Sequence, residues 1–312
     1  MPELPEVHTT ATMLNKILKS LRITSVWTSY NSPSHKGKDN IKNPEFFKSF
    51  SKKITGAEFK KGYRRGKNVL LELDNGYTVI IHMKMTGHLL YGKYKKVKSK
   101  NLKERSKEKW ETVEEGPLKD SKNQFIRFVM SLSDGRHLVL SDMRKFAKVT
   151  IEKTTELETS KHIGSIGPEP LETTFNLKLF TDRLILRPRG KVKQVLMNPE
   201  IIAGIGNIYS DEALFLAGIH PESRVNKIPS EKMSELFKAV KKVLTKGIDF
   251  GGDSTSDYRN PLGVHGNFHH HHQAYRNTGK PCIKKGCSGT IRKVKIGGRS
   301  GHFCDKHQIL YS

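Results

Sequence analysis

The chain has 312 residues, with 56 Lys and Arg against 31 Asp and Glu, a formal charge of +25. Such an excess concentrates polyanions around a protein, nucleic acid first among them, although a ribosomal or membrane-surface protein would share it. The length allows two domains with cores of their own, no apolar run is long enough for a bilayer, and no basic-then-apolar leader opens the chain, so a cytoplasmic protein is expected.

In chain order, Val7, Met13, Leu14, Ile17 and Leu18 fall on one helical face, and a helix is predicted from about Pro5, since a first turn tolerates proline. Strands are predicted over 23–28, 68–73, 77–83, 125–132, 137–140 and 146–151, with turn signals at Asp74-Asn75-Gly76 and Ser133-Asp134-Gly135. One helix followed by many short strands suggests an antiparallel β-sandwich or barrel. Between two strands lies a basic stretch with Lys93, Lys95, Lys96, Lys98, Lys100, Lys103, Arg105, Lys107 and Lys109, followed by Glu111, Glu114 and Glu115. It reads as a solvated loop insertion adding non-specific DNA affinity, with a specific DNA-binding arm as the alternative. Residues 164–171, with two prolines, read as a linker. Helical patterns follow over 177–186, 192–197, 208–217 and 231–247, and a tail from Asn267 is rich in His, Cys, Lys and Gly.

Chemistry begins at Met1-Pro2-Glu3. Removal of Met1 ahead of the small Pro2 exposes a secondary amine, which attacks an aldehyde-like carbon to give an iminium, an electron sink for β-elimination. The amine of a chain end near a helix N-terminus also feels the positive end of the dipole. Glu3 is placed to move protons, and Glu6 lies one turn on; the plainer alternative is that Pro2 and Pro5 rigidify a chain end. Lys67 follows a basic turn at the mouth of an alternating strand, where it meets a phosphate or snorkels at a sheet edge. Two close glycines in Ala203-Gly204-Ile205-Gly206-Asn207 let a helix N-terminus approach a phosphate, with Asn207 as cap and donor, or else form an ordinary interhelical turn. The cysteines are Cys282-x4-Cys287 and Cys304, the last followed by His307; two chelating pairs in a reducing compartment favour one structural Zn²⁺ over disulfides. Consecutive His269 to His272 alternate in direction along an extended chain and make a poor single site.

The whole string Met1-Pro2-Glu3-Leu4-Pro5-Glu6-Val7 resembles the opening of the bacterial formamidopyrimidine-DNA glycosylases of the Fpg/Nei family, and further resemblances cover nearly all of the chain except the Lys-rich insertion. The resemblance implies Pro2 as nucleophile at the sugar C1′, Glu3 as general acid/base, and Glu6 as a helper at the flipped nucleotide. It implies that Lys67, in a stretch like the family's catalytic hairpin, contacts the damaged nucleotide. His82-Met83-Lys84-Met85-Thr86-Gly87 is similar to a turn in which His82 would bind phosphate and Met85 would enter the space left by the flipped base; Lys84 replaces a small residue there, and core packing is the other reading of Met85. Asp142-Met143-Arg144-Lys145-Phe146 resembles the intercalation loop. Arg144 would pair the orphaned cytosine, Phe146 would wedge the stack, and Lys145 would make a point-charge phosphate contact; Phe146 as the first inward residue of a strand is the alternative.

Ala203 to Glu212 resembles the family's helix–two-turn–helix, which makes Lys193 and Asn207 DNA-backbone contacts. Residues 251–268 resemble a loop closing over an extruded purine, with Tyr258 and Arg259 against the substrate. Arg299, five residues before Cys304, matches a finger-tip arginine on the phosphates of the damaged nucleotide. The metal set Cys282, Cys287, Cys304 and His307 departs from the family's usual Cys₄.

The expected fold is α+β: an N-terminal β-sandwich with a leading helix, then a C-terminal helical domain with helix–two-turn–helix and zinc β-hairpin finger. The expected domains are 1–160 (catalytic, insertion at about 92–123), a linker at 161–175, 176–266 (helix–two-turn–helix and capping loop) and 267–312 (zinc finger). The expected activity is that of a bifunctional DNA glycosylase/AP lyase of base excision repair. It would excise 8-oxoguanine and formamidopyrimidines from duplex DNA through a Pro2 Schiff base and β,δ-elimination, as a nucleoid-associated monomer without membrane contact. Two rivals remain: a Nei-type glycosylase for oxidised pyrimidines, and a non-catalytic DNA-binding module.

Overall fold

The computed structural model describes residues 1–30, 32–98 and 108–312, so Lys100, Lys103, Arg105 and Lys107 of the basic stretch lie outside the described residues. The chain divides into two compact units: Met1–Pro2, Glu6–Gly164 and Gly251–Gly266 form one; Glu3–Pro5, Ser165–Phe250 and Asn267–Ser312 form the other. The protein is α+β. No helix among the described residues is long and apolar enough to cross a membrane.

The leading helix α1 (Leu4–Leu18) buries Val7, Ala11, Leu14 and Leu18, whose spacing of four, three and four keeps one stripe on the core. Two four-stranded antiparallel sheets make the sandwich. In one, β1 (Ile23–Thr28), β8 (Ile126–Leu132), β9 (His137–Ser141) and β5 (His88–Gly92) lie in that spatial order. In the other the order is β10 (Lys148–Lys153), β4 (Tyr77–His82), β3 (Asn68–Leu73) and β2 (Phe59–Arg65). Alternate residues, Val69, Leu71, Val79 and Ile81 from one sheet and Phe128, Met130, Leu138 and Leu140 from the other, fill the space between them. Helix α2 (Pro44–Ile54), which the apolar pattern did not reveal, is started by Asn43, whose side chain accepts from the Glu45 amide at 3.2 Å, and by Pro44 in its first turn.

The basic stretch differs from the loop expected of it. Its described flanks pair as an antiparallel hairpin, β6 (Tyr94–Lys98) with β7 (Glu108–Thr112). The first sheet is apolar on its outer face too, through Leu90, Val129 and Val139, and Tyr94, Trp110 and Leu118 cover that face. The charge run concealed the hairpin, because one large aromatic per strand suffices to anchor it on a half-finished core.

The second unit holds α3 (Leu177–Ile185), α4 (Val192–Leu196), α5 (Asn207–Ala217) and α6 (Ser230–Asp249) around a core of their own. Helix α5 ends on Gly218 in the left-handed region at φ 68°, as a C-terminal stop should. A hairpin follows, β11 (Ile291–Ile296) with β12 (Arg299–Cys304). Residues 251–266, expected with the helical domain, group instead with the first unit. Asp120 there pairs with Arg259, and the Tyr91 amide donates to the Pro261 carbonyl at 2.7 Å.

Candidate functional site

In the first unit the Met85 and Arg144–Phe146 loops meet. The Arg144 guanidinium stacks on Phe146, 4.7 Å from the ring centroid, and its Nη1 donates to Met85 Sδ at 3.1 Å. Met85 and Phe146 stay 42% and 46% exposed, so neither is core, and the packing alternatives for both fall away. Two apolar tips and a guanidinium projecting together can fill a vacated place in a base stack. A residue given no role in advance holds them: Asp142, fully buried, accepts from Thr86 Oγ1 at 2.6 Å, Tyr30 Oη at 3.1 Å and the Ala147 amide at 2.8 Å. Thr86 Oγ1 in turn accepts from the Arg144 amide at 3.0 Å. The only advance signal was that Asp142 opens the Asp-Met-Arg-Lys-Phe motif.

Lys67 sits in the two-residue turn of the β2–β3 hairpin, after Gly66 at φ 55°. His82 ends β4. Its Nδ1 accepts from the Lys84 amide at 3.0 Å, which leaves Nε2 carrying the proton. Burial, with Lys84, Lys67 and Lys148 nearby, pushes the His82 pKa down to about 3. His82 is therefore a neutral imidazole with an N–H to donate. Lys84, where the family has a small residue, is held at φ 56°, and Lys145 at φ 59°. Both are conformations that glycine adopts without the Cβ penalty.

Pro2 and Glu6 are buried. Glu6 Oε1 accepts from the Asp253 amide at 2.7 Å, and a Cβ on Gly252, at φ +90°, would meet Glu6 Cγ at 2.8 Å. Tyr258 and Arg259, expected against the substrate, are placed otherwise. Tyr258 is 3% exposed and donates to the Glu6 carbonyl at 3.0 Å, while Arg259 is 4% exposed and grips Asp120 at 2.9 Å. Both anchor the 251–266 loop, because a phenol and a guanidinium inside a close-packed loop must satisfy their polar atoms there.

In the second unit, Gly204 and Gly206 admit side chains of this chain, Leu4 and Glu3. The Glu3 carboxylate sits on the N-terminus of α5, accepting from the Ile208 amide at 3.0 Å and the Tyr209 amide at 3.4 Å. A Cβ on Gly206 would overlap the Glu3 carboxyl group, and one on Gly204 would meet Leu4 Cβ at 2.7 Å. Gly206 takes the capping position and Asn207 is the first helical residue, so the expectation of Asn207 as cap is corrected; its Nδ2 donates to Ser300 Oγ at 3.4 Å.

Lys193, expected on the DNA backbone, is 1% exposed. Its Nζ pairs with Asp211 Oδ1 at 2.6 Å and donates to Ser210 Oγ at 3.0 Å. Asp211 Oδ2 accepts from the His302 amide at 3.0 Å and lies 2.9 Å from His302 Nδ1, which joins α5 to β12. Desolvation pulls the Lys193 pKa down, against the pull of Asp211. Glu212, the last residue of the motif and one given no role of its own, accepts from the successive amides of Gln273, Ala274 and Tyr275 at 2.8–3.0 Å and ties down the start of the finger. Arg299 is exposed at the first position of β12, after Gly297 and Gly298 at φ 54° and 78°.

The ligand atoms of Cys282, Cys287, Cys304 and His307 lie within 4.8 Å of one another and could hold a metal ion. Amides of Lys284, Gly289 and Lys306 donate to the three sulfurs at 3.3–3.5 Å, which favours thiolates. His307 Nε2 lies 3.0 Å from the Phe215 carbonyl, so that nitrogen carries the proton and Nδ1, 3.3 Å from Cys282 Sγ, is left to ligate. Three thiolates and an imidazole fit tetrahedral Zn²⁺.

A β-sandwich, a helical unit in which α4 and α5 are joined through Gly204 and Gly206, and a thiol-rich hairpin define a DNA-binding architecture of the helix–two-turn–helix kind. The model of the formamidopyrimidine-DNA glycosylase N-terminal domain matches residues 1–149, and that of the formamidopyrimidine-DNA glycosylase H2TH domain matches 166–259. Among curated relatives, the formamidopyrimidine-DNA glycosylase of Bacillus subtilis is 32% identical over 99% of both chains, and that of Chloroflexus aggregans is 33% identical over 99% of both. Among solved structures, Lactococcus lactis Fpg in complex with an abasic-site DNA is 28% identical, covers 98% of this chain and 99% of its own, and superposes with a TM-score of 0.79. A mutant of the same Lactococcus lactis protein with a Fapy-dG-containing DNA is 29% identical over the same shares, also at 0.79. The chain belongs to the formamidopyrimidine-DNA glycosylase family.

Proposed function

We propose that this protein is a bifunctional DNA glycosylase/AP lyase of base excision repair, acting as a monomer on double-stranded DNA that carries oxidised purines, in the cytoplasm at the nucleoid. The observation that carries the reading is the seat of Glu3: the residue after Pro2 accepts from two amides at the N-terminus of α5, which supports a role for this carboxylate beside the chain end. The wedge, the neutral His82 and the family membership support it.

After Met1 is removed, the neutral Pro2 nitrogen bonds to C1′ as the C1′–base bond breaks; the Glu3 carboxylate takes the proton that the Pro2 nitrogen gives up and passes it to the departing base. Ring opening, with a proton from water to O4′, gives an iminium; loss of a C2′ proton to solvent then expels the 3′ phosphate, a second elimination expels the 5′ phosphate, and water hydrolyses the iminium to free Pro2, leaving a one-nucleotide gap. Lys67 and Arg299 would neutralise the phosphates of the damaged nucleotide, with His82, Asn207 and Lys145 on neighbouring backbone. Met85 and Phe146 would fill the stack, and Arg144 would hydrogen-bond the orphaned cytosine. Lys193, Glu6, Tyr258 and Arg259 would hold these parts in place. One Zn²⁺ on Cys282, Cys287, Cys304 and His307 would be structural, tying the finger that carries Arg299.

Borohydride added to protein and 8-oxoguanine duplex tests the reading. A covalent adduct is expected with the mature protein and none when the amine is blocked by a retained Met1. Absence of any adduct from mature protein would leave only a binding module, and faster release of thymine glycol than of 8-oxoguanine would move the substrate to oxidised pyrimidines.

A further inference from the structure

The first unit carries a groove of about 1040 Å³ that begins at the wedge, where Met85, Arg144 and Phe146 form part of its lining, and reaches the β6–β7 hairpin at Glu108, Lys109 and Trp110. Seven lysine and arginine side chains among the described residues line it, against one carboxylate, Glu108. That carboxylate is already paired, 3.3 Å from Lys96. The positive charge is built into the fold. Lys42, 7% exposed, lies along Tyr30 with Nζ 5.2 Å from the ring centroid and donates to the Lys145 carbonyl at 2.6 Å. Burial depresses the Lys42 pKa; Asp142 pulls it back up, and Lys148 and Lys84 push it down further, a repulsion between cations that an anion in the groove would relieve. Trp110, packed edge-on against Trp27 at 6.2 Å between centroids, makes the outer wall.

We propose that this groove is a second DNA subsite, holding the phosphodiester backbone of the strand opposite the lesion as it leaves the wedge, with the inserted hairpin as its far wall. The inference rests on the reading of the chain as a lesion-DNA enzyme. Its direction follows from Arg144. A guanidinium that reaches the estranged base has that base's own backbone on its outer side, and Lys145, Lys148 and Lys42 line the same groove as Arg144. One phosphate per roughly 3.4 Å of a strand gives several of these cations a partner.

The test is fluorescence anisotropy with a non-cleavable tetrahydrofuran-containing duplex, titrated at several salt concentrations, comparing wild type, Lys148→Gln and Lys42→Gln. Each phosphate that a variant no longer neutralises lowers the slope of log affinity against log salt by about 0.9, roughly a 3- to 4-fold change in relative affinity between about 50 and 200 mM. Lys148 is exposed, so its variant tests the groove even if Lys42→Gln folds poorly. A second duplex lacks the undamaged strand beyond the estranged base; on it wild type and Lys148→Gln should share one slope. A wild-type slope for Lys148→Gln on the full duplex overturns the proposal, as does a difference that persists on the truncated one. Borohydride trapping of the same wild-type preparation is read separately: adduct with no slope change sinks the groove alone, and no adduct sinks the enzyme reading.

Discussion

Gly206→Ala isolates the contact on which the proposed chemistry depends. At φ −133° and ψ −154° the backbone of Gly206 is extended and lies outside the left-handed region, and the three atoms nearest the new methyl all belong to one side chain. That side chain is Glu3, with its carboxylate Oε2 2.7 Å from the ideal Cβ, well inside contact distance. Glu3 must leave the α5 amides. The bond to Ile208 at 3.0 Å is a good charge-assisted one, and that to Tyr209 at 3.4 Å is weak. A hydrogen bond to a charged group contributes about 1.5–3 kcal/mol, so the loss should be roughly 2–3 kcal/mol. Guanidinium unfolding should show it as a lower midpoint at unchanged slope, and single-turnover excision of 8-oxoguanine should fall at least about tenfold. The decisive arm is a double-mutant cycle: in a Glu3→Ala background the methyl has nothing to displace, and its cost should drop below about 1 kcal/mol. A Gly206→Ala cost that is the same in both backgrounds would refute the reasoning, because the glycine would then serve the backbone and not Glu3.

Lys193→Met leaves Asp211 buried with one cationic neighbour fewer, and should lower stability by about 3 kcal/mol in chemical denaturation. Lys84→Gly relieves a left-handed residue and should raise stability by up to about 1 kcal/mol, after the entropy that glycine adds to the unfolded chain. Because the native His82 pKa is depressed to about 3, the unfolded state binds a proton that the native state does not between that value and about 6.5. Stability is therefore whole above about pH 6.5 and falls as pH drops through the window. His82→Gln should lose about 1 kcal/mol less than wild type between about pH 7.5 and 5.5, measured by urea midpoints. His307→Cys should retain one Zn²⁺ per chain by elemental analysis, whereas His307→Ala should lose metal to a chelator and melt the finger at a lower temperature than the remainder.

What the sequence alone determined is what depends on short range. Pro2-Glu3, the Arg144-x-Phe146 pair, the Gly-x-Gly turn and the Cys/His spacings are strings whose chemistry is written in residue type and separation. Six strands and five helices were legible within a few residues, because an apolar residue every second or every third-to-fourth position specifies which face is buried before any partner is known. Tertiary structure decided which charges face water. Lys193 and Arg259 read in sequence like any basic residue near a DNA-binding motif, yet each is buried against an acid distant in the chain, Asp211 and Asp120. The two glycines looked made for a phosphate, and it took the fold to put Glu3 there. Trp110 made a hairpin of an apparent charge run for the same reason: the apolar face it covers belongs to strands that sequence spacing cannot bring beside it. Burial is a property of what arrives from elsewhere in the chain.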